Sequence, residues 1–169
     1  MNRRVFQFLS PVILFCLMLI DGQVSTFFAE IFHYKLLPIS HLLLIFLIYS
    51  VRKHSLNYLL ILGLGLGIVY DSYYIGVIGI VAAILPLIFL FVHEIQETVF
   101  TNWWTKLFTV IIIIFLFEIA VYALQYAFHL ISVNPLIFIA QQLSVTLVLN
   151  ITLMLILEKI LREIYKNKN

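Results

Sequence analysis

GLGLGIVYDSYYIGVIG, residues 63–79, places one ionisable side chain, Asp71, between two apolar runs, with glycines at positions 63, 65, 67, 76 and 79. A carboxylate beside lipid is expensive, so an acid in this setting marks a reactive centre, a ligand site or a packing joint. Gly63 and Gly67, four residues apart, share one face of a helix and admit a second helix at close range. Asp71 then ends the first helix of a hairpin, and Gly76 and Gly79 lie near the start of the second.

The sequence around this hairpin is that of a protein embedded in a bilayer. Of 169 residues, 64% are hydrophobic and 11% charged, and the mean hydropathy is +1.14. Soluble domains carry about a quarter of their residues as charges. The charges fall between long apolar runs, so residues 1–169 are expected to form a single integral membrane domain without a separate soluble catalytic part. A net charge of +2 with no basic groove excludes nucleic acid as a partner and leaves membrane lipid as the surroundings. The single cysteine, Cys16, excludes an intrachain disulfide and reads as a small core residue.

The apolar runs predict an all-α membrane protein, with six transmembrane helices in one bundle over residues 5–29, 36–51, 55–71, 75–92, 107–128 and 135–157, and a tail at 158–169. The first run follows Arg3 and Arg4 and has no A-x-A site after it, so it reads as a retained helix. Only Ser72, Tyr73 and Tyr74 are left to join the third and fourth spans, which predicts a tight turn at the interface. Residues 93–106 are expected to include a short amphipathic surface helix, with Trp103 and Trp104 as an interfacial anchor. Asn134-Pro135 predicts a capped helix start. Six spans return both termini to one side. Arg3, Arg4, Arg52, Lys53, Lys106, Lys159, Arg162, Lys166 and Lys168 fall on that side and Lys35 alone on the other, so both termini are expected in the cytoplasm.

At a rise of about 1.5 Å per residue, Asp21 and Asp71 each lie about 24 Å from the cytoplasmic start of their helices, which puts them at one level in the outer leaflet, close to water. His41 lies about 8 Å and Gln141 about 10 Å from the outer face; Glu118 is nearest the midplane, with Gln125 two turns above it. No lysine or arginine lies inside a span to pair with Asp21, Asp71 or Glu118. Each acid is then protonated, hydrogen-bonded, near water or paired with a cation from elsewhere. These residues read either as a proton relay or polar ligand pocket, or as hydrogen-bonded joints between helices. His41 has no ligand spacing to the other histidines, and no metal site or cofactor is expected. His93-Glu94-Ile95-Gln96-Glu97 lacks the second histidine of a zincin helix. Serine-nucleophile elbows, P-loops and dinucleotide fingerprints are missing, and Gly65-Leu66-Gly67 stands too far from Asp71 for an aspartyl-protease pair, so no catalytic residue is expected.

Gly67-Ile68-Val69-Tyr70-Asp71 followed by Gly76 and Gly79 resembles the glycine, aspartate, glycine signature of the MreD family of bacterial rod shape-determining membrane proteins. Chain length, basic tail and lack of extramembrane mass agree with it. The resemblance implies a six-helix fold similar to the substrate-binding subunits of energy-coupling-factor vitamin transporters. It implies residence in the bacterial cell membrane and a non-enzymatic scaffolding role in the cell-wall elongation machinery. The implied partners are MreC, a RodA-type glycosyltransferase, a class B penicillin-binding protein and, where the organism has one, an actin-like filament protein. Two other readings compete. A vitamin-binding transporter subunit would present an alanine-x-x-x-alanine patch in its first helix, where this chain has only Ala29. A proton-coupled carrier would rest on Glu118 alone and would ordinarily show more spans and internal repeats.

Overall fold

Long runs of leucine, isoleucine and phenylalanine with few breakers wind into helices, because in lipid a backbone must satisfy its own amides. The computed structural model describes residues 3–51, 54–99 and 102–165, and all regular structure among them is helical. In order these are α1 (Arg3–Ile31), α2 (Leu42–Ser50), α3 (Leu56–Tyr70), α4 (Val81–Val99), α5 (Trp103–Ala127), α6 (Pro135–Phe138) and α7 (Ser144–Tyr165). A π-helical turn, Asp71–Ile75, extends α3, and another, Ile139–Leu143, joins α6 to α7. Among the described residues four stretches are long and apolar enough to cross a membrane: Ser10–Ile31, Leu56–Ile75, Trp103–Ala127 and Pro135–Glu158.

The region expected as a span over 36–51 is divided. Residues 37–41 are extended, and α2 has only nine residues, about 14 Å of helix. Pro38 has no amide and biases Leu37 away from helical geometry, and the neighbouring amides find partners on other helices. α2 is buried nearly all round through Leu43, Leu44, Ile45, Leu47, Ile48 and Tyr49. It forms the axis of the bundle. Leu14 and Met18 of α1, Leu59 of α3, Phe89 of α4, Ile113 and Ile114 of α5 and Met154 of α7 complete the core with it.

The hairpin turn also differs from its expected place. Residues 72–74 remain helical in the π turn, and the chain reverses over Gly76–Ile80, where Gly76 and Gly79 adopt φ of 77° and 123°. Glycine reaches those angles without steric penalty, so the reversal falls where the two glycines stand. Accordingly α4 starts at Val81 and runs on through His93–Val99, which extend α4 instead of forming a separate surface helix. α5 begins at Trp103, with the Trp103 and Trp104 rings edge to face at 4.6 Å. Asn134 accepts the Leu136 amide and Pro135 is the first helical residue of α6, as their order predicts. Cys16 is exposed on the outer side of α1 and takes no part in the core, because Leu14 and Met18 face inward on that helix. Of the cations counted for orientation, Arg52, Lys53, Lys166 and Lys168 lie outside the described residues.

Candidate functional site

Asp71 lies at the foot of α4. Its Oδ1 accepts the Val81 amide at 2.8 Å, and its Oδ2 accepts the Gly79 and Ala82 amides at 2.8 and 3.1 Å. The first amides of a helix have no partner inside it, and a carboxylate supplied from α3 satisfies them while meeting the positive end of the helix dipole. Asp71 is fully buried, at 0% exposure, instead of lying near water. A Cβ on Gly67 would stand 2.5 Å from the Ala82 Cα, and one on Gly63 would stand 3.2 Å from the Pro86 Cα. Both glycines face α4. Gly65 has open space around it and faces away.

Asp21 does for α2 what Asp71 does for α4. Its Oδ1 accepts the Ser40 hydroxyl at 2.6 Å and the Leu42 amide at 2.7 Å, and its Oδ2 accepts the Leu43 amide at 3.0 Å. The extended lead-in before α2 is held from both sides. Ser25 Oγ of α1 accepts the Ser40 amide, Thr146 Oγ1 of α7 accepts the Ile39 amide, and Asn150 Oδ1 of α7 accepts the His41 amide. The Asn150 amide nitrogen donates to the Ile39 carbonyl, and the Gln141 carbonyl, in the π turn, accepts the Leu37 amide at 2.8 Å. With Pro38 having none, every amide from Leu37 to Leu43 has a partner, which is the condition for non-helical backbone at membrane depth. Gln141 contributes through its backbone, and its side chain is exposed.

The lead-in delivers His41 to Glu118. Nε2 of His41 and Oε1 of Glu118 are 2.6 Å apart, both side chains are buried, and Phe117 sets its ring edge to face with the imidazole at 5.2 Å. Gln142 Nε2 donates to the other Glu118 oxygen at 3.0 Å. Glu118 therefore has a titratable partner from a residue 77 positions earlier in the chain. Beyond it lies a cavity of about 100 Å³ lined by Glu118, Gln142, Gln125, Tyr122 and Phe138. A wider groove of about 280 Å³ runs between α1 and α3 past Asp21, Ser25, Ser40, Tyr70 and Tyr74. Its polar groups are largely committed: Asp21 and Ser25 to the lead-in, and the Tyr74 hydroxyl to the Met18 carbonyl at 2.9 Å across Gly22. Among the described residues no three histidine, cysteine or acidic side chains group as metal ligands.

Sequence reading singled out Asp21, His41, Asp71, Glu118, Gln125 and Gln141, and the structure gathers His41 with Glu118 and places Gln125 on the same cavity. It gave no role to Ser25, Ser40, Thr146 or Asn150. The signal for the last two was there: they are four apart on one helix face, among apolar neighbours.

Taken together, these features define an all-helical membrane protein whose intramembrane acids cap broken helices and tie one helix to another. A family model described as "rod shape-determining protein MreD" matches residues 2–166, and the chain belongs to that family. It is 30% identical over 147 residues to the "Cell shape-determining protein MreD" of Streptococcus pneumoniae (strain ATCC BAA-255 / R6), covering 87% of this chain and 89% of that protein. No solved structure matches the chain. The family connects this chain with the determination of cell shape.

Proposed function

We propose that the chain is a non-enzymatic scaffold of the bacterial cell-wall elongation machinery, which holds MreC and, with it, a RodA-type glycosyltransferase and a class B penicillin-binding protein through helix packing in the plasma membrane. The observation that carries this reading is the filling of both broken-helix starts by the chain's own carboxylates, Asp21 at α2 and Asp71 at α4. In carriers, such half-helix N-termini point at anionic substrate groups. Here the positions are taken, and the acids serve architecture.

In this reading the polypeptide crosses the membrane six times, with α2 and its extended lead-in forming one crossing and α4 another, in the arrangement of the substrate-binding subunits of energy-coupling-factor transporters. Both termini lie in the cytoplasm, on the side of the basic clusters. The Gly63 and Gly67 face is occupied by α4, which leaves lipid-facing surfaces to receive a partner's span. An actin-like filament protein joins the assembly where the organism has one. Crosslinking in native membranes followed by affinity capture of the chain tests the proposal. Recovery of a single-span shape protein together with wall synthases is expected, and recovery of paired ATPases in their place would overturn it in favour of a transporter subunit.

A further inference from the structure

The cavity beside Glu118 is unlike the other polar sites, because its groups retain unused hydrogen-bonding capacity. A carboxylate accepts about four hydrogen bonds, and Glu118 receives one from Gln142 and shares one with His41. The Gln125 side chain lines the same cavity and makes no hydrogen bond among the described residues. The Gln142 carbonyl oxygen has none either. Three side chains with acceptor capacity thus line the cavity from α5 and the π turn before α7: Glu118, Gln125 and Gln142. Tyr122 and Phe138, stacked at 4.1 Å, form an aromatic wall, and Ile131 and Val133 from the outer turn close an apolar side.

Glu118 meets the His41 ring nitrogen at Oε1 and the Gln142 amide at Oε2. Among the described residues no lysine or arginine pairs with it. A carboxyl group on a cavity wall with lone pairs to spare suits a donor-rich cation there. An ammonium group has three donors and no acceptor, which suits three acceptor-bearing side chains on one cavity, and aromatic rings favour a cation beside them. The volume of about 100 Å³ admits a headgroup of a few heavy atoms and excludes a vitamin-sized ligand. We propose that this cavity is a binding site for a primary alkylammonium group, with Glu118, Gln125 and Gln142 as its acceptors and the Ile131 and Val133 side receiving the alkyl stem. The group comes either from a free small amine or from an aminophospholipid headgroup at the outer surface.

The test uses the full chain in nanodiscs of phosphatidylglycerol, with thermal unfolding followed as methylammonium chloride is added, against tetramethylammonium chloride at equal ionic strength. Methylammonium is expected to raise the unfolding temperature by several degrees and tetramethylammonium, which has no donors, to leave it in place. Gln125→Leu is expected to raise the half-saturating methylammonium concentration about tenfold, the loss of one hydrogen bond to a charged group. Among the described residues the Gln125 side chain bonds no other group, so this variant keeps the test decisive even if Glu118→Gln fails to fold. Phosphatidylethanolamine nanodiscs separate the two sources: stabilisation without added amine identifies the headgroup, and an undiminished response to methylammonium identifies the free amine. Equal unfolding temperatures in the two salts, or a Gln125→Leu response equal to that of the natural chain, would overturn the proposal. Neither result bears on the scaffolding role.

Discussion

Asp71 and Glu118 are both carboxylates buried in apolar helices, at 0% and 4% exposure, and their surroundings differ in kind. Asp71 is enclosed by three backbone amides, Gly79 from the reversal and Val81 and Ala82 from the helix it caps. Glu118 is met by two side chains and a cavity. An acid bound by main-chain amides dictates where a helix begins, and its partners cannot rotate away. An acid bound by side chains has partners that can exchange, and a cavity gives a newcomer room. The first arrangement is a structural joint, shared by Asp21. The second is where ligand or partner chemistry belongs.

The sharpest way to break this contrast is Asp71→Ala. It leaves three buried amides without an acceptor, at about 1–3 kcal/mol each, so a loss of about 3 kcal/mol or more is expected, read as a collapse of folded, monodisperse protein in detergent. Asp71→Asn keeps an acceptor oxygen and should lose distinctly less. Natural-like unfolding of the alanine variant would remove Asp71 from the structural side of the comparison.

Gly67→Leu comes next, at about 3 kcal/mol, because even its Cβ falls on the α4 backbone, which has no flexible side chain to give way. Membrane levels and co-purified partner should both fall. Normal complex yield and normal cell shape would show that α3 and α4 separate without consequence.

Glu118→Gln should cost about 1–2 kcal/mol, since an amide oxygen can still accept from Gln142 or His41. Here the two regions should part company in cells. Shape complementation lost at normal membrane levels would mark Glu118 as functional, whereas a loss of shape that simply tracks protein level would make it another joint. The smallest effect is a gain. Gly65→Ala, on the open face of α3, is expected to stabilise by about 0.5–1 kcal/mol through helix propensity, and destabilisation would reveal a close neighbour on that face.

Much of the glycine-rich hairpin was legible because its determinants are local. Gly67, Asp71, Gly76 and Gly79 lie within 13 residues, and their types alone indicate a close helix contact and an acid in a hairpin, with the reversal expected at 72–74 and found at Gly76–Ile80. The depth of Asp71 was misjudged for a physical reason. Counting 1.5 Å per residue assumes that an acid near a helix end meets water, and the π turn with its two positive-φ glycines folds the start of α4 over it. The continuous helix expected over 36–51 is shortened for a related reason: an apolar run with Pro38 in it stays extended at 37–41, and α2 covers Leu42–Ser50.

What the sequence determined by itself is the solvent and the class of structure: runs of about twenty apolar residues with charges at their ends leave a helical membrane protein as the stable solution, and this depends only on neighbours along the chain. What tertiary structure decided is where each acid finds its partners. Asp21 caps a helix 21 residues away, Asn150 holds a lead-in 109 residues away, and His41 meets Glu118 across 77. Hydropathy and periodicity report which residues share a helix face. They carry no information about which face meets which, and in lipid that choice settles whether a buried carboxylate is a joint or a site.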